Sequence, residues 1–183
     1  MGGLSRKAYM IKQIQSEVDK PVLLLDGGAL LFDQPSIPPS LLPARTIQAG
    51  GISQAMQAMK YGAIGIATQD LAGGLEFILR QGREHGLPLL SANLVDRTGN
   101  KPLKPSITTR VGETSVAVIG LTGEAAGKKP GEASEEYRLL PWQEVLPEAI
   151  IQARDTGMII LLSSYPEPVN QEIAARFPDI HLI

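Results

Sequence analysis

Four short apolar runs, each breaking off into small or polar residues, constrain this chain more than any other feature. They are Pro21-Val22-Leu23-Leu24-Leu25 ahead of Asp26-Gly27-Gly28, Ala63-Ile64-Gly65-Ile66-Ala67 ahead of Thr68-Gln69-Asp70, Leu87-Pro88-Leu89-Leu90 ahead of Ser91-Ala92-Asn93, and Met158-Ile159-Ile160-Leu161-Leu162 ahead of Ser163-Ser164. None alternates apolar with polar residues, so each reads as a strand buried on both faces, the pattern of a parallel sheet covered by helices. A mostly parallel central sheet is therefore expected, with strands over 22–25, 64–66, 87–90, 116–119 and 159–162. In such sheets ligands bind beyond the carboxyl ends of the strands, which makes the loops after these runs the first place to look for chemistry.

Helical spacing fills the intervals. Ala8, Ile11, Ile14 and Val18 recur over 5–18 with Ser5 as the expected N-cap. Ile52, Ala55, Met56 and Met59 mark a helix over 52–60, and Leu75, Ile78 and Leu79 one over 71–83. Val145, Leu146, Ala149, Ile150 and Ala153 mark 142–155, and a short helix is expected over 171–177. Pro35, Pro38, Pro39 and Pro43 should break the stretch before residue 52 into turns and short helical pieces. Segments 106–110 and 114–119 read as strands joined at Gly112-Glu113, and 122–137, rich in Gly, Lys and Glu, as a solvated loop. Ile180-His181-Leu182-Ile183 is strand-like. At 183 residues the whole of 1–183 suits one domain with an ordinary hydrophobic core.

Composition excludes several functions. Nineteen acidic and 17 basic residues give a net charge of −2, with a pI of about 5.7 and no basic stripe, so no nucleic-acid partner is expected. The absence of cysteine rules out thiolate metal sites and a catalytic thiol and leaves the redox compartment open. No apolar run nears the roughly 18 residues of a membrane span. Met1-Gly2-Gly3-Leu4-Ser5-Arg6-Lys7 carries no apolar segment behind its basic pair, which fits a cytoplasmic chain, a mature chain or a piece of a longer one.

Familiar motifs fail on inspection. Gly123 to Lys128 has the look of a phosphate loop, but the first glycine of that motif falls on Thr122, and Lys129 stands where Ser or Thr is needed, so a plain surface loop is expected. Gly27-Gly28 and Gly50-Gly51 do not fit dinucleotide spacing and read as turn residues. His85 and His181 are too few for a histidine metal site and read as structural. Ser163-Ser164 lacks the Gly-x-Ser-x-Gly elbow. Asp26, Asp33 and Asp70 lie at or near strand ends, where paired carboxylates would serve hydrolysis or oxygen-ligated metal, although solvated loop acids are the commoner occupants.

Five separated segments, in order, carry a family resemblance: Gly2-Gly3-Leu4-Ser5-Arg6, Leu23-Leu24-Leu25-Asp26-Gly27-Gly28, Ala55-Met56-Gln57-Ala58-Met59-Lys60-Tyr61-Gly62-Ala63, Leu89-Leu90-Ser91-Ala92-Asn93 and Val116-Ala117-Val118-Ile119-Gly120-Leu121-Thr122. Together they resemble the N-terminal catalytic domain of UshA-type 5′-nucleotidases, within the calcineurin-like metallophosphoesterases. The resemblance runs from Gly2 to Ile183. It implies an α/β fold, the metallophosphoesterase αββα sandwich, whose two metal ions sit at strand ends and activate water for attack on phosphorus. It also implies incompleteness at both ends, since the family's opening Asp-x-His would precede Gly2 and its Gly-His-x-His would begin beyond Ile183.

Carried over by position, the implied ligands are missing. The family's Gly-Asp falls on Gly28-Ala29, its Gly-Asn-His-Glu on Ala67-Thr68-Gln69-Asp70, and its Ser-His on Ser163-Ser164. Ala29, Thr68, Gln69 and Ser164 thus occupy metal-ligand positions, and Gln69, Asp70 and Ser164 are what remains of the catalytic ones. Two readings follow. One is a degenerate member: a non-catalytic binding or interaction domain, without metal or other cofactor, whose loop edge lined by Asp26, Thr68, Gln69, Asp70, Asn93 and Ser164 takes a protein partner or a small polar ligand. The resembled nucleotidases being commonly exported, its place would be periplasmic or extracytoplasmic. The other is a metal-dependent phosphoesterase with a site rebuilt from Asp26, Gln69, Asp70 and Ser164, or with ligands outside this chain. A natural end, a piece of a longer protein and a selenoprotein truncated at its selenocysteine codon are all compatible with the sequence.

Overall fold

The computed structural model describes residues 3–124 and 135–183. Along the chain run helix α1 (Leu4–Glu17), strand β1 (Leu25–Asp26), α2 (Leu42–Met59), β2 (Ala63–Gly65), a 3-10 turn (Thr68–Leu71), α3 (Leu75–His85), β3 (Leu89–Leu90), β4 (Leu94–Asp96), β5 (Ser106–Val111), β6 (Thr114–Leu121), β7 (Tyr137–Leu139), α4 (Trp142–Ala153), β8 (Met158–Ser163) and α5 (Glu167–Arg176).

The apolar runs form two sheets instead of the one expected. β1, β2 and β3 are parallel, in that order. β5 and β6 form an antiparallel hairpin, and β8 joins β6 in parallel. A third, two-stranded ribbon pairs β4 with β7 antiparallel. The split follows from the side-chain period of two in β6. Ala117, Ile119 and Leu121 pack with Trp142, Val145, Leu146 and Ala149 of α4 and with Ile173 of α5. Val116 and Val118 point the other way and, with Ile160 and Leu162 of β8, meet Ala63 and Leu90 of the first sheet. The outer face of that first sheet is covered by α2 and α3 through Met56, Met59, Phe77 and Ile78, with Ala8 and Ile11 of α1 packed alongside. Helices, sheet, sheet and helices therefore stack in four layers, the α/β sandwich that the resemblance implied.

Several local expectations shift for identifiable reasons. The strand over 22–25 shrinks to Leu25–Asp26, and Val22 is exposed. The helix expected from residue 52 begins at Leu42, with Pro43 in its first turn, where a missing N–H costs nothing. Gly50-Gly51 consequently lie inside α2 and form no turn. The helix over 71–83 is divided by Gly73 and Gly74, the latter at φ +94°. Gly3 replaces Ser5 as the N-cap of α1, and the last helix is Glu167–Arg176, opening after Pro166. Of the expected loop over 122–137, Thr122 is buried, Tyr137 starts β7, and residues 125–134, with most of the Gly123 to Lys128 segment, lie outside the described residues. Leu182 adds a parallel bridge to Ile160, as the strand-like ending suggested. His85 sits in the last turn of α3, and His181 Nδ1 accepts from the Ile159 N–H at 3.1 Å.

The sheets approach closely at Gly120, where an added Cβ would lie 2.4 Å from the Leu90 carbonyl oxygen. Gly120→Ala should therefore wedge the layers apart and lower stability by about 1–3 kcal/mol or more in urea unfolding. Gly51→Ala has open space around the new methyl group and should raise stability by about 0.5–1 kcal/mol in the same assay.

Candidate functional site

The loop after β1 is built on two left-handed residues in succession. Gly28 has φ +104° and Ala29 φ +59°. At Gly28 a Cβ would come within 2.8 Å of the Ala67 nitrogen, so only glycine lets this loop lie against the end of β2. Ala29, at the position where the resemblance puts a bridging aspartate, is exposed and offers no side-chain donor.

Asp70 fixes that loop. Its Oδ2 accepts from the Ala29 N–H at 2.7 Å and the Ala67 N–H at 3.0 Å. Its Oδ1 accepts from Leu30 at 2.8 Å and Leu31 at 2.9 Å. The residue is 2% exposed, and burial pushes its carboxyl above the ordinary value against the opposing pull of the four donors. Asp26 completes the arrangement: it accepts from the Gly28 N–H at 3.0 Å and from Lys7 Nζ at 3.2 Å. Every N–H from residue 28 to 31 thus ends on a carboxylate of the protein itself. Lys7 also stands 5.4 Å from the Tyr61 ring centre; burial draws its ammonium down, but Tyr61 and Asp26 outweigh that and hold it above its usual value.

Ser164 crosses between the sheets. Its Oγ accepts from the Gly123 N–H at 2.8 Å and donates to the Ile66 carbonyl at 3.3 Å. Gly123 is packed so closely on this loop that a Cβ would meet the Ser164 carbonyl oxygen at 2.5 Å. Asn93, fully buried, clamps the next pair of loops: Nδ2 donates to the Thr122 and Leu140 carbonyls at 2.8 and 3.2 Å, and Oδ1 accepts from the Thr122 N–H at 2.9 Å. Ser91 Oγ and Thr122 Oγ1 share a bond of 2.8 Å beside it. Of the remaining candidates, Thr68 is buried and Gln69 half-buried, joined by a weak 3.4 Å contact from Thr68 Oγ1 to Gln69 Oε1. Asp33 lies apart at the surface, 3.6 Å from Arg45.

The structure therefore gathers the loops at one edge through polar groups that satisfy one another: Asp70 with 29–31, Ser164 with Ile66 and Gly123, Asn93 with Thr122. Among the described residues no three His, Asp or Glu side chains are placed to hold a metal ion. Nearby, burial and then the Glu124 charge push the Tyr165 phenol up to about 12. Sequence reasoning missed three polar partners: Lys7 on Asp26, the Ser91–Thr122 pair, and Glu136, whose Oε2 caps α3 by accepting from the Leu75 N–H. Only Lys7 had a signal, a basic residue on a helix preceding an acid-tipped strand.

Two variants test this account of the loop. Asp70→Ala leaves four inward N–H groups without their acceptor and should lower stability by about 3 kcal/mol, a fall of roughly 6–12 °C in the thermal midpoint. Ala29→Gly relieves the left-handed strain at φ +59° and should raise stability by about 0.5–1 kcal/mol by calorimetry.

No protein-family model matches the chain. A 5′-nucleotidase of Vibrio cholerae is 28% identical over 130 residues, covering 69% of this chain and 22% of that protein. Among solved structures, the sulfate thiohydrolase SoxB of Thermus thermophilus superposes with a TM-score of 0.79 at 21% identity, covering 98% of this chain and 33% of that one. The NAD nucleotidase of Haemophilus influenzae gives a TM-score of 0.74 at 19% identity, over 95% of this chain and 30% of that one. The chain spans about a fifth of the curated relative's length and about a third of each of these structures. The chain is thus similar in sequence to a 5′-nucleotidase and shares the fold of these nucleotidase and thiohydrolase structures.

Proposed function

We propose that this chain is a non-catalytic binding or interaction domain on a 5′-nucleotidase scaffold. The observation that carries the reading is the state of the loop edge where the resemblance calls for metal ligands. Ala29 has no donor atom, Ser164 Oγ is engaged by Gly123 and Ile66, and both oxygens of Asp70 are taken by backbone N–H groups. Thr68 and Gln69 offer neutral oxygens where a two-metal centre draws its affinity from anionic and imidazole ligands. This donor set does not fit such a centre. Gln69 is the group left free to meet a ligand, since its amide nitrogen has no partner among the described residues. With neutral amides and hydroxyls lining the edge, the fitting occupant is a small polar ligand or a partner's loop, held by hydrogen bonds.

Manganese titration by calorimetry and hydrolysis assays with nucleoside monophosphates and bis-nitrophenyl phosphate test the reading. The expected result is no stoichiometric metal binding and no turnover with added manganese. Turnover that survives repurification and disappears in Gln69→Ala would overturn it and favour a rebuilt phosphoesterase site.

A further inference from the structure

We infer that the turn at Ala29, Leu30 and Leu31, closed by the Ala67 N–H, is an anion cradle that the protein fills with its own Asp70 carboxylate. Successive backbone N–H groups around left-handed residues point to one side and make concavities for anions, and here Gly28 and Ala29 supply that conformation. The match to a planar two-oxygen anion is observed directly, because such an anion is in place. Each carboxylate oxygen receives two N–H groups, at 2.7 to 3.0 Å.

The four donors come from two loops, so the carboxylate joins them like a removable peg. Leu31 and Phe32, which follow directly, are both buried in the core around α2 and α3. Asp70 is thus a positioning residue that sets the loop and seats these two side chains. Cut back, it leaves a cradle of its own shape beside the exposed Ala29, and a free small carboxylate, formate above all, takes the vacated position. In the intact protein the same donors are closed to any external carboxylate or phosphate.

The experiment compares Asp70→Ala with the unaltered chain in sodium formate and in sodium chloride of equal ionic strength. It reads the thermal midpoint and amide hydrogen exchange at Ala29, Leu30, Leu31 and Ala67. At formate about ten times its dissociation constant, exchange at these amides in the variant should slow about tenfold relative to chloride and the midpoint should rise, with no such difference in the unaltered chain. A variant that folds only in formate gives the same answer. A folded variant that responds alike to both salts overturns the inference. Should Asp70→Ala fold in neither salt, Asp70→Asn decides: its single carbonyl oxygen should keep one pair of amides protected, Leu30 with Leu31 or Ala29 with Ala67, and expose the other. Loss at all four or at none overturns the inference.

Discussion

One buried carboxylate decides the shape of the loop edge. Asp70 takes four backbone N–H groups that the turn after β1 and the end of β2 would otherwise leave unpaired, and an unpaired buried donor costs about 1–3 kcal/mol. The charge is tolerated away from water because its hydrogen bonds replace hydration. A carboxylate so engaged is a poor ligand for anything else. The same contacts that stabilise the fold therefore bear on its chemistry, since metal binding here would have to compete with the backbone for both oxygens.

The rest of the edge follows the same economy. Ser164 links the two sheets at their carboxyl ends, and Asn93 links the loop after β3 to the one after β6. Each satisfies backbone groups that leave a strand without a ladder partner, and networks of this kind rigidify a region when every member is paired. Glycines make the close approaches possible: Gly28 against Ala67, Gly120 against Leu90, Gly123 against Ser164.

The apolar runs and their abrupt polar ends were enough to place the strands, the helices between them and the edge where the loops gather, because covered strands and amphipathic helices have distinct periods. That Ala29, Thr68, Gln69 and Ser164 lie in loops following strands could likewise be read from the order of segments. The extension of α2 through Gly50-Gly51 could not, because helix propensity is a weak prior that packing on α3 overrides. Nor did the apolar pattern show the division into two sheets, which only the family resemblance implied, since a strand buried on both faces looks the same whether a helix or another sheet covers it.

What Asp70 does was equally out of reach of the sequence. An acid at the end of a strand reads alike as a metal ligand, a solvated loop residue or a backbone acceptor, and the choice depends on which N–H groups the fold brings to it. The sequence by itself determined the class of fold, the loop edge and the residue types available there. Tertiary structure alone decided that those residues face one another, because the partners of Asp70, Ser164 and Asn93 lie between 29 and 98 positions away along the chain, apart from the local bonds to Ala67 and Ser91.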